Sequence, residues 1–122
     1  MKVIRHDEME EQDATDAAIF VGGKVTRRPL VGGGLSSYFN FNIVEFAPGA
    51  RNKFHAHTSD QVLFVTKGRG IVSTESEDAD IGEGDTVLIA AGEKHRHGAA
   101  PDSEFAHIAL TTPDSKSTIF DE

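Results

Sequence analysis

Apolar positions in this chain come in short runs that alternate with polar ones, and the runs are separated by glycine-rich breaks. No window carries apolar residues at helical spacing; alternation of period two is the mark of strands with one buried face. The runs predict strands at 18–21, 24–31, 37–46, 53–57, 61–66, 70–74, 86–89, 94–97 and 105–111. Gly22-Gly23, Gly32-Gly33-Gly34, Pro48-Gly49, Gly68, Gly70, Gly82, Gly84, Gly92 and Gly98 read as turns or strand ends. The one helix candidate, Asp7–Ala18, has acids in front but almost no apolar stripe, so it reads as an exposed turn or loop. Many short strands at close spacing predict an all-β barrel or sandwich.

Alternation also sorts side chains by face. His55 and His57 share a face, as do Gln61, Leu63 and Val65. Asn40, Asn42, Val44 and Phe46 share one, with Phe39, Phe41 and Ile43 opposite; His107, Ala109 and Thr111 share another. Val44, Phe46, Leu63, Val65, Val87, Ile89, Ile108 and Leu110 are the core candidates.

With 122 residues the chain fits one domain. It divides into an acidic N-terminal segment, 1–17, and a barrel, 18–122. The formal net charge is −8. Its acids crowd into 1–17, 75–85 and 100–122, whereas all the histidines but His6 lie between His55 and His107. A pI near 5.1 argues against nucleic acid, whose phosphates need clustered Lys and Arg. The absence of cysteine excludes disulfides, thiolate zinc and a cysteine nucleophile. No apolar run is long enough to span a membrane, and the first residues lack a signal-peptide pattern, so a cytoplasmic protein is expected. The acids of Glu75–Asp80 read as a solvated hairpin tip.

His55-Ala56-His57 on a strand is a chelating pair, and Gln61 and His95 can complete it. Three imidazoles and an amide suit Mn, Fe, Zn, Ni or Cu and serve Ca or Mg poorly. His97 falls on the face of His95 and is a candidate general base; so is His107. Arg96, between the two inward histidines, should point outward.

These residues resemble the two cupin motifs. Gly49, His55, His57, Gln61 and Gly68 stand at the first motif's spacing, with Gln in the place of Glu. Gly84, Ala90, Gly92, His95 and Ala99 stand at the second's, with Ala for Pro and Ala for Asn. Pro48-Gly49-Ala50-Arg51, the His pair, Gln61 and the run 92–101 further resemble the small bacterial manganese cupins that include the cupin-type hydroxynitrile lyases. The resemblance implies a double-stranded β-helix, a jelly-roll-like barrel, with one Mn(II) held by His55, His57, Gln61 and His95. Within it, Asn42, Val44, Leu63, Ala109 and Thr111 are the expected lining of a substrate pocket. Arg96 stands where an aromatic is usual.

Three functions follow as expectations. The first is a Mn(II) lyase in which the metal is a Lewis acid and His97 or His107 moves the proton. The second is a mononuclear Fe or Mn dioxygenase, and the third a non-catalytic small-molecule binder. A neutral Gln ligand leaves the ion its full charge, which favours polar chemistry over oxygen activation. A homodimer is expected, because barrel edges need cover.

Overall fold

The computed structural model describes residues 1–120. A 3-10 turn, His6–Glu8, precedes twelve strands. They are β1 Gln12–Asp13, β2 Phe20–Val21, β3 Val25–Val31, β4 Asn40–Phe46, β5 Arg51–Asn52, β6 His55–His57, β7 Gln61–Thr74, β8 Asp78–Gly82, β9 Thr86–Ile89, β10 His95–Ala99, β11 Phe105–Thr111 and β12 Ser117–Ile119. All the strand pairings are antiparallel, and together they curl into the jelly-roll barrel of the cupin type. One wall runs β1-β3-β4-β11-β7-β9; the other runs β2-β5-β10-β7-β8, with β6 bridging β10 and β12.

Strand β7 belongs to both walls. Residues 61–68 pair with β9 and β11, and residues 69–74 pair with β8 and β10. Sequence reading ends strands at Gly68 and Gly70; the structure carries one strand through both. Gly68 has φ +70°, and a Cβ there would overlap the Glu104 carbonyl oxygen. At Gly70 a Cβ would lie 2.6 Å from the Phe105 ring. These glycines bend one strand between two walls, where bare backbone is needed, instead of ending it.

Two further differences concern polar strands. The acidic hairpin turns at 75–77, closed by Thr74 N–H on the Glu77 carbonyl at 2.9 Å, so Asp78 and Asp80 lie in β8 with exposed side chains. Strand β12, Ser-Thr-Ile, has no apolar alternation and was not expected. The acidic head is not separate from the sheet: Gln12 pairs with Arg27, Asp13 with Thr26, and Ala14 is buried. Arg28 ties down that head through Glu11 at 2.8 Å and the Met9 carbonyl at 3.2 Å.

The core follows the alternation. Val25, Phe46, Leu63, Val65 and Phe105 are almost fully buried, and the Phe46 and Phe105 rings sit 5.7 Å apart. Each such side chain contributes about 1.5–3 kcal/mol on burial. Ile108 and Leu110 point the other way: they are half-buried on the outer face of the first wall. Cross-strand register aligns them with Phe41, Ile43, Val62, Phe64 and Leu88 there. Among the described residues no helix is long and apolar enough to cross a membrane.

Candidate metal centre and cavity

Three short-range pairings assemble the histidines. Strand β6 presents His55 and His57; His55 pairs across to His95 of β10, and on the other side His57 pairs with Ser117 of β12. Gln61, at the start of β7, enters the same space. The ring centroids of His55 lie 4.2 Å from His95 and 4.9 Å from His57.

Each ring is oriented from behind. His55 Nδ1 donates to the Lys53 carbonyl at 2.7 Å, and His95 Nδ1 donates to the Glu93 carbonyl at 2.8 Å. His57 Nδ1 contacts Ser117 Oγ at 2.9 Å. Fixing Nδ1 in this way leaves Nε2 as a lone pair, the usual arrangement behind a metal-bound imidazole. Burial then keeps the rings neutral. The His55 pKa is lowered to about 3, mainly by burial, with the Lys53 hydrogen bond opposing. His57 and His95 are lowered by the same main cause.

Two contacts test whether a metal fits. His95 Nε2 faces Gln61 Oε1 at 3.2 Å. With Nδ1 carrying the proton, both atoms present lone pairs, a juxtaposition that a shared cation would relieve. His57 Nε2 is buried without a hydrogen-bond partner, although the nearby Gln61 amide raises its proton affinity somewhat. Four neutral donors, one of them orphaned, fit a divalent transition metal. His55, His57, His95 and Gln61 would hold it.

His97 stands beside this set. Its ligand nitrogen, with those of His55 and His95, falls in a group within 4.8 Å of one another. Unlike His57, however, His97 is committed elsewhere. Its Nδ1 lies 3.0 Å from His107 Nε2, and its Nε2 lies 3.1 Å from the Asn52 amide nitrogen. Asn52 Oδ1 also accepts the His97 backbone N–H at 2.8 Å. Because the Asn52 amide can only donate, the network assigns the proton to Nδ1 of His97, donated to His107. Burial holds His97 well below the usual imidazole value, helped by His107, and lowers His107 to about 4. The pair is therefore neutral at pH 7.

A cavity of about 240 Å³ opens in front of these residues. Asn42, Val44, Ala109 and Thr111 line it, together with His55, His57, Gln61, His97 and His107. Leu63 does not; it is fully buried and packs the wall. His95 is likewise absent from the lining but touches Gln61 from behind. Sequence reading missed Asn52 and Ser117. Neither has a local motif, and each arrives through a cross-strand pairing. Arg96 turns outward, with its guanidinium 4.5 Å over the Phe54 ring.

Comparison with known proteins places this geometry. A family model described as a cupin domain matches residues 42–111. An (R)-mandelonitrile lyase from Granulicella tundricola is 44% identical over 68 residues, which cover 55% of this chain and 52% of that protein. The chain thus matches about half the length of that relative. The crystal structure of a cupin-like protein from Thermotoga maritima superposes with a TM-score of 0.85 at 30% identity, covering 95% of this chain and 90% of the other. A polyketide cyclase from Streptomyces resistomycificus, 16% identical, superposes with a TM-score of 0.82 over 100% of this chain and 88% of its own; it shows the fold alone. A barrel of two antiparallel walls, the paired motif spacings and the family match agree: the chain belongs to the cupin family.

Proposed function

We propose that this cupin is a metal-dependent lyase of the hydroxynitrile lyase type, with Mn(II) as its metal. The observation that carries the reading is a neutral donor set, His55, His57, Gln61 and His95, beside a buried neutral imidazole pair in a small cavity. The partial likeness to a mandelonitrile lyase supports it. The bound metal would supply Lewis acidity toward a substrate hydroxyl.

The chain's own groups do the rest. His97 takes the hydroxyl proton at Nε2, the nitrogen against the Asn52 amide, once substrate displaces that contact. Its Nδ1–H remains on His107 Nε2, which shares the positive charge and holds the ring still. Asn52 fixes the backbone of His97. On loss of the C–C bond, the same nitrogen returns the proton to the departing cyanide.

The test is cyanide release from mandelonitrile by the Mn-loaded chain. We expect metal-dependent release, and a fall in kcat of about 10²–10⁴-fold in His97→Ala, the usual worth of a positioned base. Release no faster than from the metal-free protein removes the lyase reading.

We also propose a homodimer formed through the outer face of the first wall. Phe64 and Leu88 are 41% and 70% exposed there, beside Val62, Ile108, Leu110, Phe41 and Ile43. Contiguous apolar surface of this kind marks contact sites. On a chain of net charge −8, two copies repel over most of their surface, and the cross-strand rows from Leu88 to Phe41 and from Phe64 to Ile43 contain no acid. A second copy is therefore the occupant that suits the face. Sedimentation should give a dimer, and Leu88→Glu should give a monomer with unchanged circular dichroism. A monomeric parent chain would dismiss the proposal.

A further inference from the structure

We infer that the cavity selects an anion, and that Arg27 reads the carboxylate of the substrate. The inference rests on the metal reading above for the other end of the ligand. Arg27 pairs with Val44 across β3 and β4, and Val44 pairs with His107 across β4 and β11. The three form one row on the cavity side of the wall. Strands lie about 4.8 Å apart, so the backbones of Arg27 and His107 are separated by roughly 10 Å.

Among the described residues that line the cavity, Arg27 is the one lysine, arginine or acid. On a chain with this excess of acids, none of the described acids lines the cavity. Arg27 is exposed at the mouth, and among the described residues no ion pair or hydrogen bond engages its guanidinium. Its neighbour Arg28 is the contrast: it faces the other way and is committed to the acidic head. Any cation on the four neutral donors would add to the positive charge of the same space. Asn40 and Asn42, also lining residues, add neutral amides to the same cavity.

A single planar fork matches a carboxylate. A phosphate dianion in a cavity of about 240 Å³ would find only that one cationic side chain. The ligand class is therefore a small hydroxy acid, with its hydroxyl at the metal end and its carboxylate at the mouth.

The probes are 4-(hydroxymethyl)benzoate and 4-(hydroxymethyl)benzamide, titrated calorimetrically into the whole Mn-loaded chain and into the metal-free chain. We expect the benzoate to bind about tenfold or more tightly than the benzamide, the scale of one charge-assisted contact. Arg27→Gln should erase that preference while leaving metal content unchanged, and Arg27→Lys should restore part of it. Equal binding of the two probes by the parent chain overturns the inference. So does a preference that survives Arg27→Gln, which would assign the anion to the metal. Inorganic phosphate that competes as well as the benzoate overturns the carboxylate assignment. An Arg27-dependent preference without cyanide release would sink the lyase reading and leave this one standing.

Discussion

Replacing His95 with Ala is expected to strip the chain of transition metal. His95 supplies one of four donors and also faces Gln61 Oε1 at 3.2 Å, so its loss removes one ligand and frees a second. Groups that merely hydrogen-bond to a ligand cost 10–100-fold in affinity when changed; loss of the ligand itself should cost roughly hundredfold or more. Elemental analysis of the purified variant checks this directly, and the metal-dependent rise in Tm should vanish with it, since a ligand at 100 times its Kd adds about 2.7 kcal/mol. His6→Ala is the control, because the His6 ring is exposed and its one hydrogen bond among the described residues is to Asp7. The decisive comparison is His57→Ala against His97→Ala. The orphaned Nε2 of His57 and the engaged nitrogens of His97 predict that the first loses metal and the second keeps it. The reverse result would exchange their roles, and stoichiometric metal in His95→Ala would discard the whole donor set.

The candidate donors could be named because their signal is local. His-x-His on a strand, a Gln four residues on and a later His at fixed spacing need no knowledge of which strands touch. The supports were not legible, for the opposite reason. Asn52 reaches His97 across the β5–β10 pairing, and Ser117 reaches His57 across β12–β6. Such register is set by the closed barrel, which no window of sequence contains. Strand β12 is polar because it is a three-residue strand with exposed side chains, so it lacks the alternation that betrays a half-buried strand. Gly68 and Gly70 misled for a related reason. Glycine marks a turn when the chain reverses, but here it marks a strand that bends under Phe105. Period-two reading also cannot say which face of a wall is the interior: Ile108 and Leu110 looked like core and lie on the outer side, while His107 and Ala109 face inward.

The histidine cluster should also make the metal-free protein unusually sensitive to mild acid. An unfolded histidine titrates near 6.5, whereas burial lowers His107 to about 4 and His55 to about 3 in the folded chain. Below pH 6.5 the unfolded state therefore binds protons that the folded state refuses. Stability is complete above that pH and falls as pH drops, until each folded pKa is reached. Each such histidine costs about 1.4 kcal/mol per pH unit across its window. His107 alone then removes roughly 3 kcal/mol between pH 6.5 and 4, and His97, His95 and His57 shift in the same direction. A domain's whole stability is about 5–15 kcal/mol, so the barrel should unfold between pH 5 and 4. Carboxylates do not explain a loss that begins near pH 6.5: Asp13 and Glu104, lowered by hydrogen bonds to Thr15 and Lys67, start to lose their contributions only below their ordinary values of 3.8 and 4.5. Urea denaturation at pH 8, 7, 6 and 5 should show a slope of at least two protons below pH 6.5, with about one fewer in His107→Gln. Bound metal should raise stability at pH 7 and steepen its loss, since protons and metal compete for the same nitrogens. Stability that stays flat from pH 7 to pH 5 would mean that these imidazoles are solvated in the folded chain, and the neutral base would have to be abandoned.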